Sequence, residues 1–550
     1  MLMDESVTYR RLRAPREHGQ VLIEPAPSML DEVVVGNTAL RDGVPYDLQG
    51  RDLLQLATSA RAELIDKAHR YTAQYRDVTL RRSAAERLFL AGHQPELFHP
   101  GVWFKNVALA HLADQQDAVA VNLLIDNDVC RSSTLRVPGG SVRSPVVELV
   151  PFDQQAAETP YEERTIHDAA LFESFSRRAA EVIRPLMPET LLEDYWSRAV
   201  ARSHENTNLG QSFAQARHQM EGECGLQTLE IPQSTVCQME AFHWFTAHLL
   251  AQLPRFWDVY NSLLREYRRE YHVRSHAHPV PNLSQRDGCL EAPFWIWSEA
   301  DPRRRPMFAC VRGDQMVISD RGKTEIVLDL TPDGSAEVAV AQLADLSRQG
   351  IKIRSRALVT TMFARLLLSD LFLHGIGGAK YDELTDRLIH RFFQLRPPEF
   401  LVVSATWRLP IDRTATTLGD QRQIEYLLRE LTYHPEQYVD RRAVGDGRSA
   451  AELATESDES LDALIGRKEQ WIRTAKTPEN AHTRHLEISR VNTALQPWIS
   501  PQRAELLAQR DTAAAAVRAE AILSARDYAF CLQRKETLSD LILEMQTHTA

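Results

Sequence analysis

Nowhere in the 550 residues does a run approach eighteen consecutive apolar side chains, so the sequence offers no membrane-spanning helix. The opening MLMDESVTYRRLRAPREHG carries charge without a hydrophobic segment behind it, which gives the expectation of no secretory signal and of a cytoplasmic protein with no membrane partner. Cysteine is scarce: Cys130, Cys224, Cys237, Cys289, Cys310 and Cys531 lie far apart and form no C-x-x-C pair. That argues against a disulfide framework or a zinc ribbon and for reduced thiols. Also missing are a Walker lysine loop, a G-x-S-x-G elbow, an H-E-x-x-H pair and a G-x-G-x-x-G after a strand, and no dedicated metal site is assigned. A net charge of -11 gives no electrostatic reason to expect nucleic acid as a partner, which leaves a small-molecule substrate as the expectation.

What is present is an ordinary globular composition, 43% apolar and 25% charged, on a chain too long for one core. Residues up to about Gly50 read as extended chain with an early strand near Val21–Ile23, and Arg51 to Arg76 carries apolar residues at helical spacing. RLFLA at 87–91, a helical segment over 102–114 and AVAVNLLID at 118–126 read as strand, helix, strand, a βαβ unit of a parallel sheet. A mixed region follows to about Gln349, with helical stretches at 171–183, 191–202 and 239–269, an extended TLEIP, and an aromatic HPVPNLSQRDGCLEAPFWIW running into RRRPMFACV and a hairpin with MVISD. DLFLHGIGGAKYDELTD at 370–386 reads as strand, glycine loop and helix start, with Asp382 as a cap, and EFLVVSA at 399–405 as the next strand. Beyond Pro410 the pattern is helical, with loops at HPEQY, VGDGRS and KTPEN and a last helix running from Ser500-Pro501 without a break to Ala550. The expected class is therefore α/β: a parallel-sheet core in two halves (1–130 and 351–415), an inserted α+β region (131–350) and a C-terminal helical arm (416–550) whose long last helix is either half of an antiparallel hairpin or a homodimer contact.

Ligands of parallel sheets sit beyond the carboxyl ends of the strands. The residues there are His93, Gln94, His99, Lys105, Asp126 and Asp128 after the first pair of strands, and His374, Gly375, Gly377, Gly378, Lys380 and Tyr381 after the later one. Glycines at a helix start let backbone N–H groups approach an anion; the same sequence also suits a tight turn. In the inserted region Glu291, Trp295, Trp297 and Arg305 are the ligand-facing candidates, the aromatics serving equally well as core.

AGHQPELFHPGVWFKN followed by NLLIDND resembles paired blocks of the bacillithiol biosynthesis cysteine-adding enzyme family, a TGQQ-x-GLF-x-GP-x-Y-x-x-x-K stretch before a strand ending in an acidic cluster. Gly92, Gln94, Leu97, Phe98 and Lys105 match. RALVTTMFARLLLSDLFLHGIGGAKYDELTD and PPEFLVVSATWRLP resemble later blocks of that family, and the C-terminal helices stand where it has a coiled coil. The resemblance implies a Rossmann-like core, a dimerising arm, and a carbon–nitrogen ligase joining an amino acid, with cysteine the first candidate, to a small polar or sugar-derived acceptor, with ATP or ADP and a Mg²⁺ ion in the cleft. On that reading Gln94 and Lys105 lie near the nucleotide or acceptor, and Asp126 and Asp128 mark the acidic cluster. Gly377, Gly378 and Tyr381 form the second cleft wall, next to the strand-end candidates His374 and Gly375. His93 or His99 is acid/base or phosphate contact, and Lys105 with Lys380 stabilises developing negative charge. The family pattern differs here at His93, His99, Pro100 and Lys380, which implies a changed substrate. FHPGVWFK also resembles the H-x-G-H element of class I nucleotidyltransferases, with Val102 in place of the second histidine, and that class is one alternative. The other is a non-catalytic nucleotide-binding module that engages a protein partner through the helical arm.

Overall fold

Six short apolar runs, Val21–Glu24 (β1), Leu88–His93 (β2), Val119–Leu124 (β3), Leu229–Pro232 (β4), Leu371–His374 (β5) and Phe400–Ala405 (β6), form one sheet in the order β1-β6-β5-β2-β3-β4. The computed structural model describes residues 12–43, 45–79, 87–275, 277–313, 315–413, 418–439 and 460–549. All pairs in this sheet are parallel except β1 with β6. β3 to β6 are buried along their whole length, which is why they read as unbroken apolar runs rather than alternating ones. The helices that frame the site are Leu53–Thr72 (α1), Pro100–Gln115 (α2), Leu209–Glu223 (α3), Leu253–Glu270 (α4), Ala357–Phe363 (α5) and Ile376–Leu388 (α6). β2-α2-β3 and β5-α6-β6 are the two expected strand–helix–strand units, and β5 pairs directly with β2, so the units share one sheet. The TLEIP run of the inserted region belongs to the same sheet as its edge strand β4.

The remaining strands of the inserted region make an antiparallel sheet, in the order Glu325–Leu328, Gln315–Ser319, Asp301–Arg312, Cys289–Ser298, Ile351–Ser355. Asp370, just before β5, ties the first sheet together at its base. Its carboxylate accepts from Leu88 N (2.7 Å) and Arg61 Nη2 (2.5 Å) and pairs with Arg41, with its side chain 1% exposed. Next to β4, Arg217 of α3 bridges two buried carboxylates, Glu221 (2.7 Å) and Glu230. Trp103 and Asn106 of α2 donate to Glu221, and Tyr75 donates to Glu230. His218, Glu221 and Glu230 bring ligand atoms within 4.8 Å of one another, yet Arg217 supplies the positive charge there and His218 is engaged by Tyr75 and Thr228. The cluster is an ion-pair network.

The chain divides into two compact units: Met1–Val137, Glu148–Pro410 and Arg526–Ala550 form one, and Pro138–Val147 with Ile411–Ala525 the other. In the second unit, helices Leu418–Tyr433 and Ser500–Leu523 pack together. Leu461–Arg473 and Ala481–Ala494 enclose a small core of Leu461, Leu464, Ile465, Val491 and Leu495. Lys468 is buried in this unit, bonded to Glu436 (2.5 Å) and Tyr433 O (2.7 Å). No helix among the described residues is long and apolar enough to cross a membrane.

Four local expectations are corrected. Leu30–Gly43 is a helix, with Asp31 and Glu32 in its first turn and Leu30, Val33, Val34 and Asn37 buried, although three successive valines and Gly36 argue locally against one. Asn37 explains it: its amide donates to Asp370 O and Glu399 O (2.8 Å each), tertiary bonds invisible in local sequence. The 239–269 helix is two helices that meet at Gln252, with Pro254 in the first turn of the second. The last helix stops at Leu523. Tyr528, Ala529, Phe530, Cys531 and Leu532 are all buried, which one stripe of a helix cannot achieve, and Phe530 N bonds Phe98 O (2.8 Å) instead of a helical carbonyl. Finally, no glycine loop precedes α6: Gly375 is its N-cap residue, Gly377 and Gly378 lie in its first turn, and Asp382 is an interior helical residue, not a cap. The VGDGRS loop at 444–449 lies outside the described residues.

Candidate functional site

β2, β3, β5 and β6 all end on one side, and the strand order reverses between β2 and β5, the place where an open parallel sheet leaves a crevice. A cavity of about 740 Å³ occupies it. Of the residues expected at a site, His93, Gln94, His99, Lys105, Asp128, Trp295, His374, Gly375, Gly377, Gly378 and Tyr381 line this cavity. Blocks almost three hundred residues apart in sequence thus line one cavity.

The first wall is the β2–α2 turn. His99 is the N-cap of α2, its Nδ1 accepting from Gly101 N (3.0 Å), so the neutral ring carries its proton on Nε2. Burial, reinforced by Arg526, pushes His99 down to about 4. A side chain at Gly101 would stand 2.5 Å from Ala405 O, which is why the helix can approach β6 only with glycine there. His93 bonds Gln94 O through Nδ1 (3.0 Å), and burial together with Lys105 depresses it to about 3. Lys105, 3% exposed, donates to Gly92 O (2.5 Å). Burial first, and Arg217 second, lower its ammonium to about 7.

The opposite wall is β5 and the first turn of α6. The N-cap Gly375 provides no side-chain acceptor, so the first-turn N–H groups of α6 are left for a ligand. His374 donates to Asp382 Oδ2 (2.6 Å), and Arg365 holds the same oxygen (2.8 Å). Desolvation would raise the Asp382 carboxyl, but His374 and Arg365 outweigh it and hold the group well below the usual range. A Cβ at Gly378 would meet His374 Nδ1 at 2.6 Å, whereas one at Gly377 meets nothing within 4 Å. The two glycines therefore separate fold from function. Gly378→Ala is expected to destabilise by about 1–3 kcal/mol because the imidazole it strikes is pinned. Gly377→Ala is expected to leave stability unchanged or higher by up to about 1 kcal/mol while placing a methyl in the ligand's path. Thermal unfolding of the two variants measures the difference.

A third wall comes from the antiparallel sheet. Arg304 and Arg356 both lie over the Trp295 ring, at 4.4 and 4.0 Å from its centroid. Asp128 is held by Gln94 Nε2 (2.9 Å) and Arg304 Nη1 (3.0 Å), which overcome its desolvation and lower its carboxyl. With both carboxylates engaged by donors, Lys105, Arg304, Arg356 and Arg526 make the lining cationic on a chain that is acidic overall.

Five expected residues are not part of the lining. Asp126 is bonded to the short helix Gln233–Val236 after β4, accepting from Ser234 N (2.8 Å) and Ser234 Oγ (2.5 Å), and burial beside Glu162 raises it to about 7. Glu291 pairs with Arg356 (2.6 Å) and accepts from Ser284, so it acts behind the wall. Trp297 is fully buried and donates to Glu163 (2.8 Å). Arg305 pairs with Asp301 (3.0 Å) on the other face of its strand from Arg304, since successive side chains alternate. Lys380 is exposed, turned away by the helical period that brings Gly377, Gly378, Tyr381 and Asp382 to the cavity. Arg356 and Arg526 were not singled out from the sequence, and of the run Arg303, Arg304 and Arg305 the residue named for the site was Arg305. The arginine run at 303–305 was the one signal available, and strand parity decided which member counts.

Lys105 also leaves a stability signature. Its proton affinity is lower folded than unfolded, so the unfolded chain binds more protons between about pH 7 and 10.5 and stability rises with pH across that window. Lys105→Met is expected to flatten that rise, as urea unfolding at the two ends of the window would measure. No family model matches this chain, and no curated protein matches it.

Proposed function

We propose that this protein is a nucleotide-dependent carbon–nitrogen ligase with a Rossmann-like core, related to the cysteine-adding enzymes its sequence resembles, and that ATP or ADP occupies the cleft between β2-α2 and β5-α6. The observation that carries this reading is the cationic cavity at the strand ends, floored by an uncapped helix start and lined from both resembling blocks. A nucleoside di- or triphosphate suits its volume and charge, and Tyr381 offers an aromatic face. In a ligation the amine of the incoming amino acid must lose a proton as it attacks the activated acceptor. Lys105, held near neutrality by burial, is the base this reading assigns, with Arg304 and Arg356 binding the acceptor's negative charge. Gln94 and Asp128 orient the amine, and a Mg²⁺ ion would ride on the nucleotide phosphates. The helical unit 411–525 takes the place of the family's dimerising coiled coil, and a cytoplasmic homodimer is part of the proposal.

The test is incubation with Mg-ATP, cysteine and a panel of hydroxyl-rich and carboxylate-bearing acceptors, followed by mass spectrometry. An amide product formed with stoichiometric ATP cleavage, and lost in Lys105→Met, is the expected result. ATP cleavage without amino-acid transfer would overturn the ligase reading.

A further inference from the structure

Lys105 lies in an unusual setting for a lysine. Its side chain is buried at the edge of a ligand-sized cavity, its amine is bonded to a backbone carbonyl, Gly92 O, and among the described residues no carboxylate forms an ion pair with it. The charged group that acts on it from outside its own helix is a cation, Arg217. Nothing in this arrangement rewards the ammonium form except one carbonyl dipole, and burial opposes it. Around the amine the cavity offers anion handles on separate elements: the first turn of α6, Arg304 on the antiparallel sheet, Arg356 at the N-cap of α5, and Arg526.

We propose that Lys105 is a covalent attachment site for carbonyl compounds, its Nζ condensing with an aldehyde or ketone that carries a phosphate or carboxylate. The anion would be fixed by the helix start or the arginines, presenting the carbonyl carbon to the amine. The lone pair of Nζ then adds to that carbon, and the carbonyl oxygen takes up the two protons the amine gives up and departs as water, leaving a C=N bond. No oxidant or reductant enters. The half-neutral state that burial gives this amine near pH 7 supports the reaction. The inference goes beyond the ligase reading and does not depend on a nucleotide, because it needs only the amine and an anion handle.

The experiment uses the intact wild-type chain and substoichiometric pyridoxal 5′-phosphate, with borohydride reduction to trap the imine and peptide mapping to locate it. The expected result is label concentrated on the Lys105 peptide, suppressed by inorganic phosphate. Unphosphorylated pyridoxal should label that peptide about tenfold less or weaker still, the loss of one charge-assisted anchor. Label spread over exposed lysines with the Lys105 peptide unmodified would overturn the proposal, as would equal labelling by the two aldehydes. Site mapping on the wild-type chain makes the outcome independent of whether Lys105→Met folds. A negative result leaves nucleotide binding standing, since that is read without any carbonyl compound.

Discussion

Replacing Arg217 with methionine is expected to destabilise the first unit by about 3–5 kcal/mol, among the largest effects of any single change in this chain. Arg217 forms ion pairs with both Glu221 and Glu230, which are fully buried, and its loss leaves the two carboxylates to the neutral donors Trp103, Asn106 and Tyr75 and to the more distant Arg76. Burial already lifts Glu230 to about 7 against the pull of Arg217. Without the arginine the Glu230 carboxyl rises further. A carboxyl raised in the folded state holds a proton the unfolded chain has released, so its contribution is present at low pH and lost as pH climbs through the folded value. The deficit of the variant should therefore be smaller at mildly acidic than at mildly alkaline pH. Urea unfolding in both buffers measures it, and a deficit that is the same in both would refute the assignment of Arg217 as the neutralising charge.

Asp370→Ala is expected to lose a similar amount, about 3–5 kcal/mol, by leaving Arg61 buried and without its carboxylate and Leu88 N without an acceptor. Arg41, 21% exposed, can turn to water, so the penalty falls mainly on Arg61 and the β2–β5 junction. Asp370→Asn retains an acceptor for Leu88 N and should fall between alanine and wild type. Denaturant midpoints at constant slope provide the comparison. A loss under about 1 kcal/mol for alanine would reduce Asp370 to the worth of a surface pair.

Much of the central sheet was legible because its strands are covered on both faces and so print as continuous apolar runs; Phe89, Val121, Leu373 and Val402 need no context to read. The glycines at 375, 377 and 378 were legible as the start of a helix, but only at Gly378 is glycine required, and by the pinned His374 ring and not by the local backbone. What stayed hidden depends on long-range geometry. Strand parity at 304 and 305 follows from a register that has irregularities on either side of Trp295 and Ile296. Trp295 accordingly meets two guanidiniums while Trp297, two residues on, is sealed over Glu163. The end of the helix at Leu523 follows from a pocket for Phe530 built by Phe98, Trp103 and Tyr195, residues from distant parts of the chain. Asp126 and Asp128 are equivalent by sequence, and only Ser234 on one side and Gln94 with Arg304 on the other separate the residue bonded to the short helix Gln233–Val236 from the one that faces the cavity.

The central claim is that the strand-end cavity binds a phosphate-bearing nucleotide. Thermal unfolding of the wild type and of Gly377→Ala, each with and without saturating ADP, tests it most directly. The expected result is stabilisation of the wild type, about 2.7 kcal/mol at a ligand concentration a hundred times the dissociation constant, and little or none in Gly377→Ala, whose unliganded stability matches the wild type. No shift of the wild type with ADP or Mg-ATP, or an equal shift in both proteins, would contradict it.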